Sequence, residues 1–409
     1  MTSMKPTIKR FESLDLLRGI ALMFIILFHS SIYNFANIDK IDFDNPPIVV
    51  VLMSFMALWG GIFIIYSTVV MTIMFLNRIT VFSQKMLLTY SLIAGSVYLV
   101  LHYILNILLG RWNTDFVNNQ PDMTAIASTL RNMHLTFPHI TKFFEGSSLS
   151  TIALNLILVS FVLYVLHKND GIKKTKRNYT ILTLSGIGIM LCSFIRVSIY
   201  PFFTQAMETN NHVLATFYSF TIANPYPLFP YVAYGIFGVL IGMMLFNNHT
   251  NLLKKLMLPL GFLFIVYGIG GMMQFDKTIS TPDYFWYFKT NFELGVLILL
   301  LISSILIFEP RKNFKKNLGV ITWFSRISLT IYMLETTTSE LMRIVFFEID
   351  PNWNQTINGS LLFGGFNIIL WIIILSFWKR IDFKYSLEYF WVRLFARPGK
   401  QSTKMDSIL

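Results

Sequence analysis

The chain has 409 residues, of which 54% are hydrophobic and 13% charged, and its formal net charge is +12. A soluble protein carries about twice that charged fraction, so the composition excludes an ordinary soluble domain and implies an all-α polytopic membrane protein. The positive balance does not point to nucleic acid, because the basic residues cluster in short linkers between apolar spans, as topology signals do.

Ten windows near the length of a spanning helix run at 15–36, 49–76, 86–109, 149–167, 179–199, 229–246, 256–273, 290–308, 322–346 and 361–378. The first is too long for a cleavable signal peptide and no small-residue cleavage pattern follows it. The second is long enough to tilt or to extend beyond the bilayer. Placing the N-terminus inside puts 23 Lys and Arg on the cytoplasmic side and six outside, with Arg18, Arg196, Arg326 and Arg343 within spans or at their ends. That asymmetry predicts about ten transmembrane helices with both termini cytoplasmic. It also predicts one multi-pass domain over 1–400, in the cell membrane, and a cytoplasmic tail over 401–409. The outer segments 110–148 and 200–228 are long, as functional loops often are, and the second has room for a short helix around 203–222. Cys192 is the single cysteine, which excludes a disulfide framework.

The first window carries Asp15, Arg18 and His29. Eleven helical steps separate Arg18 from His29, so they lie within about 20° of one face and ~16 Å apart along the axis. Asp15, three residues before Arg18, falls near the same stripe. Ionisable groups on a membrane helix face the protein interior or water, and a functional site is the default reading. Asp15 and Arg18 are either a structural ion pair at the helix entrance or a cofactor contact.

Glu335 stands ~18 Å into the ninth window by helical rise, at a depth similar to that of His29. A His–carboxylate pair there would hold one imidazole tautomer and raise the basicity of the ring. His102 and Asn106 in the third window, Arg196 in the fifth and Glu293 in the eighth would together line an outward pocket for a polar acceptor. Each taken alone also suits an interfacial position. Trp59-Gly60-Gly61, with Tyr66 deeper, suits close helix packing. His134 and His139 read as surface histidines. The basic linkers 168–177 and 311–316 suit topology and anionic lipid. Arg326, at the entrance to the ninth window, is the better single match to a phosphate. No Walker A loop, dinucleotide motif, His/Cys metal cluster or GxSxG elbow is present, so ATP hydrolysis, zinc chemistry and serine hydrolysis lack support. No internal repeat is visible, although many secondary transporters are built from repeats.

The stretch Leu14-Asp15-Leu16-Leu17-Arg18-Gly19-Ile20-Ala21, followed by His29, resembles the opening helix of the integral-membrane acyltransferases. It is most similar to the branch related to heparan-α-glucosaminide N-acetyltransferase, and Arg-x10-His matches the signature of the type-3 acyltransferases. Further similar stretches follow in order: Trp59 to Phe63, Pro227 to Tyr231, Ser325 to Tyr332, and the tail from Trp378 through Phe383, Leu387-Glu388 and Arg393. The resemblance implies transfer of an acyl group, acetyl being the expected one, from cytoplasmic acyl-CoA to a hydroxyl or amine of a sugar or glycan across the membrane. His29 would be the catalytic base or acyl carrier, with Glu335 and Asp15 as further catalytic candidates. Arg18, Arg326, Trp59 and Tyr66 would serve the acetyl-CoA cofactor, and His102, Arg196 and Glu293 the acceptor.

Two departures from the family are visible. Some relatives have Asn at the His29 position and a working histidine in the next outer loop, whereas residues 36–48 hold no histidine. Glu335 stands where Gln or His is expected. The alternative is a transporter that uses the same polar pathway, or a non-catalytic scaffold. The sequence leaves oligomeric state open, a homodimer included.

Overall fold

The computed structural model describes residues 11–41, 45–79, 81–110, 113–115, 120–122, 124–135, 137–138, 140–143, 145–223, 226–275, 283–311 and 319–395. Its α-helices are α1 (Glu12–Ile32), α2 (Ile48–Ala57), α3 (Ile62–Arg78), α4 (Gln84–Ile104), α5 (Ala125–Asn132), α6 (Ser148–His167), α7 (Thr175–Cys192) and α8 (Ile195–Glu208). They continue with α9 (His212–Thr221), α10 (Leu228–Phe246), α11 (Thr250–Met272), α12 (Tyr284–Phe308), α13 (Gly319–Arg326), α14 (Ser328–Ile349), α15 (Ile357–Arg380) and α16 (Leu387–Phe395). The only ladder among the described residues pairs 113–115 with 120–122, antiparallel.

Among the described residues eight helical segments are long and apolar enough to cross a membrane, or nine if the pair α7–α8, bent by 57°, is one broken span. The protein is therefore an all-α polytopic membrane protein in a lipid bilayer. The structure departs from the ten windows in two places. The fifth window is not one straight span: the chain breaks after Cys192 and resumes at Ile195, where Ser193 Oγ donates to Met190 O at 2.7 Å. The ninth window is split at Ile327 between the end of α13 and α14, and Glu335, Glu340, Arg343 and Glu348 make α14 too polar to qualify as an apolar span. The short helix anticipated in 203–222 is α9, with α8 extending to Glu208 before it.

The chain divides into two compact units. The first comprises 61–103 and 140–306 among the described residues and holds α3, α4 and α6–α12. Its centre is α10, which packs on α3, α6, α7 and α11. Gly238 makes the α3 contact close: a Cβ there would lie 1.9 Å from Thr68 Oγ1 and 2.7 Å from Ile65 O. Small residues at such a crossing let backbones approach. The Thr68 hydroxyl is itself satisfied by the carbonyls of Ile64 and Ile65.

The second unit comprises 11–60, 104–139 and 307–395 among the described residues and holds α1, α2, α5 and α13–α16. Its hub is α1, in contact with α2, α13, α14 and α15. Glu12 and Asp15 in the first turn and His29 in the last suit the helix dipole. The amide and hydroxyl of Ser13 both donate to Glu309 Oε1, at 2.9 and 2.7 Å, which fixes the start of the helix. Residues 396–409, including the proposed tail, lie outside the described residues.

Candidate active site

The second unit carries two polar clusters, at opposite ends of α1. At the first, Asp15, Arg18 and Ser325 close a ring. Arg18 Nε donates to Ser325 Oγ at 2.9 Å, Ser325 Oγ donates to Asp15 Oδ1 at 2.9 Å, and Arg18 Nη2 lies 3.3 Å from the same carboxylate oxygen. Arg326 follows directly at the end of α13 and is half-buried. The ring depends on close approach of α1 and α13 at Gly19, where a Cβ would lie 2.4 Å from Ile321 O.

At the far end of α1, His29 Nδ1 meets Glu335 Oε1 of α14 at 2.5 Å. The side chains are 17% and 3% exposed, so the pair is largely sheltered from water. The ring of Tyr33 stands edge-on to the imidazole at 5.6 Å. With Nδ1 directed at a carboxylate, the neutral ring carries its proton there and its lone pair on Nε2, the form a general base requires. The pairing anticipated from depth alone is thus present. Asp15 does not join it: fourteen helical steps separate it from His29, about 21 Å by helical rise.

Four residues not anticipated as site residues, Arg131, Glu340, Asn34 and Arg343, complete this end. Arg131 of α5 donates through Nε to Glu340 Oε2 at 2.8 Å and through Nη2 to Glu340 Oε1 at 2.6 Å, and Nη2 also reaches Asn34 Oδ1 at 3.0 Å. Arg343 Nε lies 3.1 Å from Glu340 Oε2 and its guanidinium rests 4.9 Å above the ring of Phe347. Burial lowers the pKa of Arg131 from its ordinary value; Glu340 opposes that shift and Arg343 adds to it. Arg131 reaches this place because α5 packs against both the helical turn 105–109 and α14. Thr124, just before α5, donates its hydroxyl to Gly110 O at 2.6 Å, and Met133 ends the helix in the left-handed region. His29, Ser30, Tyr33, Asn34, Arg131, Glu335, Thr336, Ser339 and Glu340 line a partly open cavity of about 20 Å³, which is room for one water.

Trp59 lies in the turn before α3, buried, with its ring edge-on to Phe24 of α1 at 5.1 Å. That contact suits the packing reading of Trp59-Gly60-Gly61.

Of the remaining anticipated residues, Asn106 lies in the helical turn 105–109 of the second unit and the others belong to the first. Tyr66 is half-buried on α3. His102 is fully buried, its Nδ1 2.8 Å from Ser147 Oγ at the start of α6, with Phe220 edge-on at 5.4 Å. Arg196 is buried, stacks its guanidinium 3.6 Å over Trp286 and donates through Nε to the Ile222 carbonyl. Phe220 and Ile222 are two residues apart, so the end of α9 brings His102 and Arg196 to one neighbourhood. Glu293 lies on α12 and faces Lys289, 3.5 Å away on the preceding turn.

His134 is exposed, as expected of a surface histidine, while His139 lies outside the described residues. So do Lys312, Lys315 and Lys316 of the second basic linker. No protein-family model matches the chain, and no curated protein compared with it gives a match.

Proposed function

We propose that the protein is a membrane acyltransferase of the integral-membrane type, moving an acetyl group from cytoplasmic acetyl-CoA to a hydroxyl or amine of an extracytoplasmic sugar or glycan. The observation that carries this reading is the sheltered His29–Glu335 pair, on the motif that resembles the family. The acceptor loses its proton to His29 Nε2 as its oxygen or nitrogen bonds to the thioester carbonyl carbon. The carbon–sulfur bond then breaks and the CoA thiolate takes that proton from His29. Glu335 holds the tautomer and stabilises the imidazolium while it exists. The ring of Asp15, Arg18 and Ser325, with Arg326 beside it, supplies guanidinium groups of the kind that bind phosphate, and these are assigned to the CoA donor.

The test is acetyl-CoA binding and CoA release by the purified protein in nanodiscs, with His29→Ala beside the wild type. Binding by both and release by the wild type alone is the expected result. No binding by either overturns the reading. The broken pair α7–α8 supports a second reading, since discontinuous membrane helices line the binding sites of many transporters. Solute uptake into proteoliposomes driven by an ion gradient, without acyl-CoA, would select it.

A further inference from the structure

The end of α15 and the helix α16 present a surface that acyl transfer does not use. Lys379 and Arg380 close α15, Lys384 follows in the turn and Arg393 lies on α16; all four are exposed. Among them stand Phe377, Ile381, Tyr385 and Phe390, 58%, 48%, 73% and 53% exposed. The cations lie against aromatic rings: Lys379 over Trp323 at 4.6 Å, Arg380 over Phe377 at 4.9 Å and Arg393 over Tyr389 at 5.3 Å. The two carboxylates of the stretch do not offset them at the surface. Asp382 is half-buried, and Glu388 turns inward to α14.

The inward side of this segment is tightly bound. Glu388 Oε1 accepts from Leu329 N at 2.6 Å and Thr330 N at 3.3 Å, and Oε2 accepts from Thr330 Oγ1 at 2.6 Å. Thr330 Oγ1 in turn accepts from Leu387 N at 2.8 Å. A carboxylate thus caps the amides that open α14, where the helix dipole favours negative charge. Whatever holds α16 therefore holds the start of α14, five residues before Glu335.

We propose that this surface docks on the headgroups of anionic phospholipids in the leaflet where α15 ends, and that the docking seats α16 against α14. Two observations select a lipid surface over a soluble polyanion. The patch continues a membrane-spanning helix at its end, where basic and aromatic side chains meet headgroups. Its cations also alternate with large exposed apolar groups, which suit the boundary between headgroup and acyl chain. Each Lys or Arg near such a surface strengthens binding about fivefold.

The experiment uses the full chain in nanodiscs of phosphatidylcholine with phosphatidylglycerol, released into mild detergent and examined by native mass spectrometry for retained lipid. The wild type is expected to keep phosphatidylglycerol preferentially. Joint replacement Lys379→Gln, Arg380→Gln, Lys384→Gln and Arg393→Gln should weaken that preference about fivefold per charge. Lys379→Arg with Lys384→Arg, which keeps the charge, should retain it and controls for folding. In the wild type, hydrogen exchange of the Leu329 and Thr330 amides should be slower with phosphatidylglycerol than with phosphatidylcholine alone. No preference in the wild type, or an undiminished one in the fourfold variant, overturns the proposal. So does competition by heparin that lipid does not reproduce, which would assign the patch to a soluble acidic partner.

Discussion

Arg131 grips Glu340 with two nitrogens, at 2.8 and 2.6 Å, five residues beyond Glu335 on the same helix. The same guanidinium holds Asn34, five residues beyond His29 and just past the end of α1. One side chain from a short helix therefore ties α1 to α14 just past the His29–Glu335 contact. Removing one partner of a buried ion pair typically costs about 3–5 kcal/mol. Arg343 still faces Glu340 when Arg131 is lost, so Arg131→Ala should cost less, about 2 kcal/mol. Thermal unfolding in a defined detergent checks this. A midpoint equal to that of the wild type would show that the clamp contributes nothing to stability. Arg131→Lys, which loses the two-pronged geometry, should fall between the two.

The His29–Glu335 pair predicts a graded loss of transfer. His29→Ala removes the base and should lower CoA release by about 10²–10⁴-fold, the usual contribution of general base catalysis. Glu335→Gln keeps the size of the side chain but can still accept from His29 Nδ1, so its loss should be smaller, with acetyl-CoA affinity unchanged. Steady-state kinetics at several pH values separate these outcomes. Equal losses in both variants would mean that the carboxylate does more than orient the ring.

The pairing was legible because helical rise converts a residue's place in a window into depth, and both windows run in the same direction. Arg131 was not. In the sequence it is one charge in a long loop, and nothing local marks a loop cation that turns inward to meet a helix. A signal existed in Glu340, a second carboxylate in a window already too polar for lipid, which demanded a cation from elsewhere. The break between α7 and α8 left no such mark, because Ser193-Phe194-Ile195 continues an apolar run. What bends the chain there is tertiary, with Arg196 drawn onto Trp286 and the Ile222 carbonyl. Asp15 illustrates a mixed case: its ion pair with Arg18 is legible from their spacing, but Ser325, which bonds to both, has a short hydroxyl side chain that gives no signal by itself.

Gly19 predicts a defect at the other end of α1. Its missing Cβ would lie 2.4 Å from Ile321 O, a backbone atom that cannot rotate away. Gly19→Ala must push α13 from α1 and should cost about 1–3 kcal/mol, as overpacking does. The displacement also separates Arg18 from Ser325. Under the acyltransferase reading, acetyl-CoA affinity should then fall while the chemistry at His29 is unaffected. An isothermal titration that returns the wild-type affinity would remove the ring from the donor site.

Glu388 predicts a pH dependence of the α16 dock. Burial raises its carboxyl above the ordinary 4.5, against the hydrogen bonds from Thr330 and Leu329 that pull it down. A carboxyl raised in the fold binds its proton more tightly folded than unfolded. Its contribution to stability is therefore complete below the unfolded value and is lost as pH rises through the folded one. Wild-type thermal stability should fall as pH climbs from about 4.5 through the raised value, and Glu388→Gln, which cannot ionise, should lack that decline. Unfolding midpoints of both proteins across this range test it. Parallel curves would show that Glu388 stays ionised in the fold, held by the amides at the start of α14.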